Sequence, residues 1–168
     1  MYGSPHRLAL PAWPIYSFSV PSSPEDYRFA SLDRMGDATE LRRLERFSFA
    51  MYAAGLAAEC MLRSFKHPDR PFDEHHDLVA LFRACAEEKL GETARARLRG
   101  PIQTLHQLWL NNFRYKSEAS FRRHLKTIQY YRRASLQRGA DELKVACIEL
   151  CDAAAIVVTV GEEQWRNP

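Results

Sequence analysis

Residues 46–65 read RFSFAMYAAGLAAECMLRSF, twenty positions without a proline. Alanine is the best helix former, and Ala50, Ala53, Ala54, Ala57 and Ala58 line this run. Phe49, Leu56, Met61, Leu62 and Phe65 add bulk. Small residues on the remaining face let a second helix approach closely. The stretch therefore predicts a helix packed inside a bundle. Glu59 is its single acid. A carboxylate among alanines and beside Cys60 loses its hydration on burial unless it meets a partner, so Glu59 is expected to face a polar pocket or an arginine.

Working upstream, SSPEDYRF (22–29) has the marks of a helix start. Ser23 can cap, Pro24 suits the first helical position, and Glu25 and Asp26 suit the positive end of the helix dipole. That helix is expected to reach the Arg43 region, with Gly36 as a candidate break. Before it, Pro5, Pro11, Pro14, Pro21 and Pro24 mark residues 1–24 as an extended arm, and 25–168 as one helical domain. Trp13, Tyr16 and Phe18 give the arm surface to pack on the domain or a neighbouring chain, although a free tail is equally compatible.

Downstream, Pro68 and Pro71 mark a loop. Asp73 or the pair His76–Asp77 begins a third helix over 78–89, which Gly91 ends. A fourth, roughly 92–113, carries Pro101, expected to kink or split it, with Leu105, Leu108, Trp109 and Phe113 as its apolar stripe. From Ser117, Phe121, Leu125, Ile128 and Tyr131 fall at core spacing. Arg122, Lys126, Gln129 and Arg133 form a separate stripe. The last helix, about 140–161, is the most apolar and is expected to be central, with Glu149 and Asp152 as its polar positions. Together these elements predict an all-α bundle of five or six helices.

At 168 residues the chain is long enough for one domain with a sizeable core, and its 7 glycines are too few for an all-β fold. The four cysteines, Cys60, Cys85, Cys147 and Cys151, include no C-x-x-C pair and read as reduced core thiols. Pro11, Pro14 and Pro21 interrupt any signal-like apolar core, and no apolar run is long enough to cross a membrane, so a cytoplasmic location is expected. The net charge of +3 is unevenly spread: residues 93–140 hold eleven basic side chains and one acid, Glu118, which leaves the rest of the chain at −7. That asymmetry points to a polyanionic partner.

Three pieces in order carry a resemblance. They lie in RMGDATELRRLERFSFAMYAAGLAAECMLRSF, HHDLVALF and LWLNNFRY, and match at Tyr52 to Arg63, His76 to Leu78, and Trp109 to Tyr115. The pattern resembles the HEPN family of prokaryotic helical domains, over about residues 34–160. The resemblance implies an antiparallel helical bundle, usually a homodimer, with a basic groove at the dimer interface that binds RNA or a nucleotide and needs no cofactor. Members act in toxin–antitoxin or phage-defence modules, many as metal-independent endoribonucleases, and others partner a nucleotidyltransferase.

Catalytic members carry an arginine followed, after four to six residues, by a histidine at the start of a late helix, supported by a polar residue on the second helix. Glu59 matches the supporting position and Arg114 the arginine. No histidine follows Arg114 at that distance: His124 is nine intervening residues away. Histidine is the residue suited to move protons at neutral pH, and arginine the one suited to steady charge on a phosphate. The candidate catalytic set is therefore Arg114, Glu59 and His76. The candidate phosphate track is Arg114, Tyr115, Lys116, Arg122, Lys126 and Arg133.

Plainer readings stand beside these. His76 and Asp77 can simply open a helix, Arg114 can pair with Glu59 inside the core, Trp109 can be core, and the basic stripe can be a solvated face. The cluster His67, Asp73, His75 and His76 lacks the regular spacing of a metal site, so no metal is expected. The sequence leaves open whether the protein is an enzyme, a binding protein or a protein-interaction module.

Overall fold

A computed structural model of the chain describes residues 23–65, 76–134 and 139–166. It is an all-α bundle. Among the described residues, six helices are ten residues or longer: α1 (Pro24–Arg43), α2 (Phe47–Arg63), α3 (Leu78–Glu88), α4 (Glu92–Leu108), α5 (Glu118–Thr127) and, after a single turn α6 (Tyr130–Arg133), α7 (Glu142–Arg166). A 3-10 turn, Asn111–Tyr115, joins α4 to α5. None of the described helices is long and apolar enough to cross a membrane. Residues 1–22, 66–75, 135–138 and 167–168 lie outside the described residues, and with them most of the expected arm, the expected loop, and His67, Asp73 and His75.

α1 begins as its sequence predicts. The Ser23 hydroxyl accepts the Asp26 amide at 3.0 Å and the Asp26 carboxylate accepts the Ser23 amide at 2.8 Å, a complete capping box ahead of Pro24. Gly36 does not interrupt the helix. A three-residue link, with Glu45 at φ 55°, reverses the chain into α2. Arg28 near the start of α1 grips Glu162 near the end of α7 at 2.6 and 2.7 Å, and Arg42 at the end of α1 reaches Asp152 in mid-α7 at 2.9 Å. α1 therefore runs antiparallel to both α2 and α7.

α2 and α7 form the centre. Twelve of the seventeen residues of α2 are buried, so it meets neighbours on nearly every side. Two glycines set how close those neighbours come. A Cβ at Gly161 of α7 would overlap the Met61 side chain, and a Cβ at Gly55 would overlap the Trp109 indole. α7 extends to Arg166, five residues past the expected end, and its polar positions are used as links: Glu149 accepts the Tyr130 hydroxyl at 2.7 Å, and Asp152 holds Arg42. Cys85, Cys147 and Cys151 are buried thiols and Cys60 is half-buried. Burial raises the Cys60 thiol to about 11, so it stays protonated and unreactive at neutral pH.

Two expected helices change shape. The helix expected over 92–113 runs through Pro101 but stops at Leu108. Trp109 turns extended (φ −113°, ψ 135°), and its indole is buried against Gly55. The helix expected from Ser117 breaks at Gln129, which takes a left-handed backbone (φ 54°, ψ 37°) before α6. Tyr130 is buried in the core; the side chain of Tyr131, expected there, lies outside the described residues.

Candidate functional site

Glu59 sits on the same face of α2 as Gly55, one turn further on, and its side chain is almost fully buried. Its expected need for a partner is met twice. Arg63, also buried and one turn along the same helix, donates Nε–H to Glu59 Oε1 at 2.7 Å. His76, which lies just before α3, places Nδ1 2.9 Å from both carboxylate oxygens. A carboxylate only accepts hydrogen bonds, so His76 Nδ1 is the donor in this contact, and in the neutral imidazole Nε2 is then the acceptor. The His76 side chain is 38% exposed against 4% for Glu59, so a half-exposed imidazole is backed by a buried, anchored carboxylate. This is the arrangement that orients a histidine as a general base.

α3 is positioned by the neighbouring residue. The Asp77 carboxylate accepts the Val79 and Ala80 amides at 2.9 and 3.1 Å, capping the helix. The plainer reading of this segment is therefore half met: Asp77 caps, while His76 turns to Glu59. Arg63 belongs to the matched pattern but carried no expected role. The signal for it was its spacing, four residues after a lone buried acid.

Arg114 does not join this cluster. It is exposed on the 3-10 turn, and no hydrogen bond or ion pair ties it to Glu59 or His76. A buried Arg114–Glu59 pair is thus replaced by the Arg63–Glu59 pair, because the i,i+4 neighbour reaches the carboxylate without leaving its own helix. Arg114 lies instead over the ring of Tyr115, 4.7 Å from its centroid, and Tyr115 is 78% exposed. Lys116 lies over Phe113 at 5.6 Å. Beneath them Phe113 and Phe121 pack with centroids 4.0 Å apart, and the His124 ring sits edge-on to Phe113. Burial, with Lys116 nearby, lowers the His124 pKa, so its imidazole is neutral at pH 7.

The rest of the basic track divides. Arg122 is engaged by Glu118 at 2.9 Å and by Asp141 at 2.8 Å, so it ties α5 to the start of α7. Lys126 and Arg132 are exposed and line a shallow depression with Gln129 and Glu142. Arg133 lies in α6, with its side chain outside the described residues. Because Gln129 breaks the helix, the stripe Arg122, Lys126, Gln129 and Arg133 is not one continuous face. Among the described residues no three His, Cys, Asp or Glu side chains gather as metal ligands.

The structure thus provides a Glu59–His76 dyad anchored by Arg63, and, separately, an exposed guanidinium–phenol pair on the turn after α4. No protein-family model matches the chain, nor does any curated protein or solved structure, so the assignment of a function rests on these two features and on the sequence resemblance.

Proposed function

We propose that the protein binds single-stranded RNA or a nucleotide through Arg114 and Tyr115, as a homodimer of the HEPN type in a prokaryotic defence or toxin–antitoxin module. The Arg114–Tyr115 pair carries the reading. An exposed aromatic ring offers a face on which a base stacks, and the adjoining guanidinium, with no carboxylate partner among the described residues, suits the phosphate beside it. Lys116, Lys126 and Arg132 extend the positive surface; Arg122 contributes less, because Glu118 and Asp141 already hold it.

Fluorescence anisotropy with a short labelled RNA tests this. If six or more phosphates are contacted, affinity falls by about 10³-fold between 50 and 200 mM salt. Stacking on Tyr115 makes Tyr115→Ala weaken binding by roughly tenfold. Binding that ignores salt, or that survives both Arg114→Ala and Tyr115→Ala unchanged, removes the reading.

One observation favours a second reading, metal-independent RNA cleavage. In this reading a neutral His76, its Nδ1 hydrogen-bonded to Glu59, takes the proton of a 2′-hydroxyl at Nε2, while Glu59 steadies the imidazolium that forms. The 2′-oxygen then attacks phosphorus, the P–O5′ bond breaks, and the departing oxygen takes its proton from water. Total RNA incubated with the protein in chelator checks this. Cleavage should disappear in His76→Ala, and equal cleavage by that variant rules the histidine out.

A further inference from the structure

α3 and α4 face each other across a groove of about 390 Å³ that plays no part in either feature above. Val79, Phe82 and Arg83 stand three and four residues apart on one face of α3. Arg95, Arg99 and Ile102 stand at matching helical spacing on the facing side of α4. The floor is apolar: Ile102 is buried, and Val79 and Phe82 are half-buried. The rim carries three guanidiniums. Glu92 binds Arg95 at 2.7 Å, whereas Arg83 and Arg99 are exposed and have no carboxylate partner among the described residues. Two cations without a carboxylate partner among the described residues border one small apolar floor, and an anion arriving there offsets their charge.

We infer that this α3–α4 groove is a binding site for a small amphipathic anion, a phosphate carried on an aromatic body. The guanidinium forks of Arg83 and Arg99 take the phosphate, each able to donate two parallel N–H bonds. The aromatic body lies on Phe82, Val79 and Ile102, and the exposed amide of Gln103 stands at the rim to meet a polar edge. The volume lies within the range of small-molecule pockets and suits a single ring system with one charged group, not a polymer.

Isothermal titration of the full chain with phenyl phosphate, and with inorganic phosphate alone, tests the inference. Phenyl phosphate is expected to bind about tenfold more tightly than inorganic phosphate, because only it reaches the floor. The double variant Arg83→Gln/Arg99→Gln, both positions exposed and so tolerant of change, should lose at least about tenfold in phenyl phosphate affinity with its thermal unfolding unaltered. In the Arg114→Ala/Tyr115→Ala background, which removes the exposed turn as a second phosphate site, phenyl phosphate should still bind and Arg83→Gln/Arg99→Gln should still weaken it about tenfold, which separates this site from the RNA reading. The inference is overturned if phenyl phosphate fails to bind at millimolar concentration, binds no better than inorganic phosphate, or binds equally well to the double Gln variant. Loss of RNA binding in the double Gln variant, with no phenyl phosphate binding to the native chain, overturns it too and makes the groove part of an RNA path.

Discussion

Around Glu59 a buried guanidinium on the same closely packed helix and a half-exposed imidazole from just before α3 match a buried carboxylate. Along 114–132 the charges lie outside, on a 3-10 turn and two short helices, and several have no partner among the described residues. The first region is built as a buried group must be: Glu59 has a guanidinium on one side and an imidazole on the other. The second leaves Arg114, Lys126 and Arg132 to solvent, where a charge costs little to keep unmatched. Fixed geometry suits proton transfer, and an accommodating charged surface suits a polyanion.

The largest expected effect comes from unmatching the inner region. Arg63→Met strips Glu59 of its principal counter-charge and should cost about 3–5 kcal/mol in urea unfolding. Adding Glu59→Gln should recover most of that loss, since the uncompensated charge is gone. A loss below about 1 kcal/mol in the single variant would mean that the cluster is wet and loosely held, and the contrast between the two regions would fail.

Glycine substitutions sharpen the same contrast through packing. Gly55→Ala drives a methyl group into the Trp109 ring and should destabilise by about 2 kcal/mol. Gly161→Ala meets the pliable Met61 side chain and should cost less, about 1 kcal/mol. Gly36→Ala, with open space around it in mid-α1, should instead stabilise by about 0.5–1 kcal/mol. Chemical denaturation of the three variants measures the order, and a reversed order would place the tight packing elsewhere.

A much smaller effect than that of Arg63→Met is expected in the outer region. Asp141 accepts the Leu143 amide at the start of α7 and binds Arg122, so Asp141→Ala should cost about 1 kcal/mol at neutral pH. The hydrogen bond from Arg122 holds the Asp141 carboxyl below its ordinary value of 3.8. Its contribution is therefore complete above that value and is lost as pH falls through the lowered one. Stability measured from pH 7 down to 3 should show the gap between native and variant chains closing in acid. A gap that stays constant would assign the loss to packing.

The bundle was legible because its signals are local. A proline-free alanine run, the Ser23–Asp26 box and the Asp77 cap each act within a few residues. Two of the residues that matter at the candidate site, Glu59 and His76, could also be picked out, the first as a lone acid in an apolar run. Their pairing could not, because it depends on how the chain between α2 and α3 closes. Nor could the end of α4, which is set by burial of Trp109 on a helix more than forty residues earlier. The break at Gln129 was hidden for another reason: a left-handed backbone usually announces itself with glycine, and here a glutamine adopts it. Arg63 was the clearest missed signal, since i,i+4 spacing from Glu59 was enough to find it.

Trp109 gives the protein a built-in optical gauge. Its indole nitrogen is buried without a hydrogen-bond partner among the described residues, so its emission should be blue-shifted and should redden sharply when water reaches it. The ring rests on the helix that holds Glu59 and lies five residues before Arg114. With Trp13 and Trp165 replaced by phenylalanine, its colour reports whether those two regions are still joined, without a dye or a label. An RNA that pulls the 111–115 turn away from α2 would be seen as a red shift at native stability, whereas one that merely stacks on Tyr115 would leave the emission where it was.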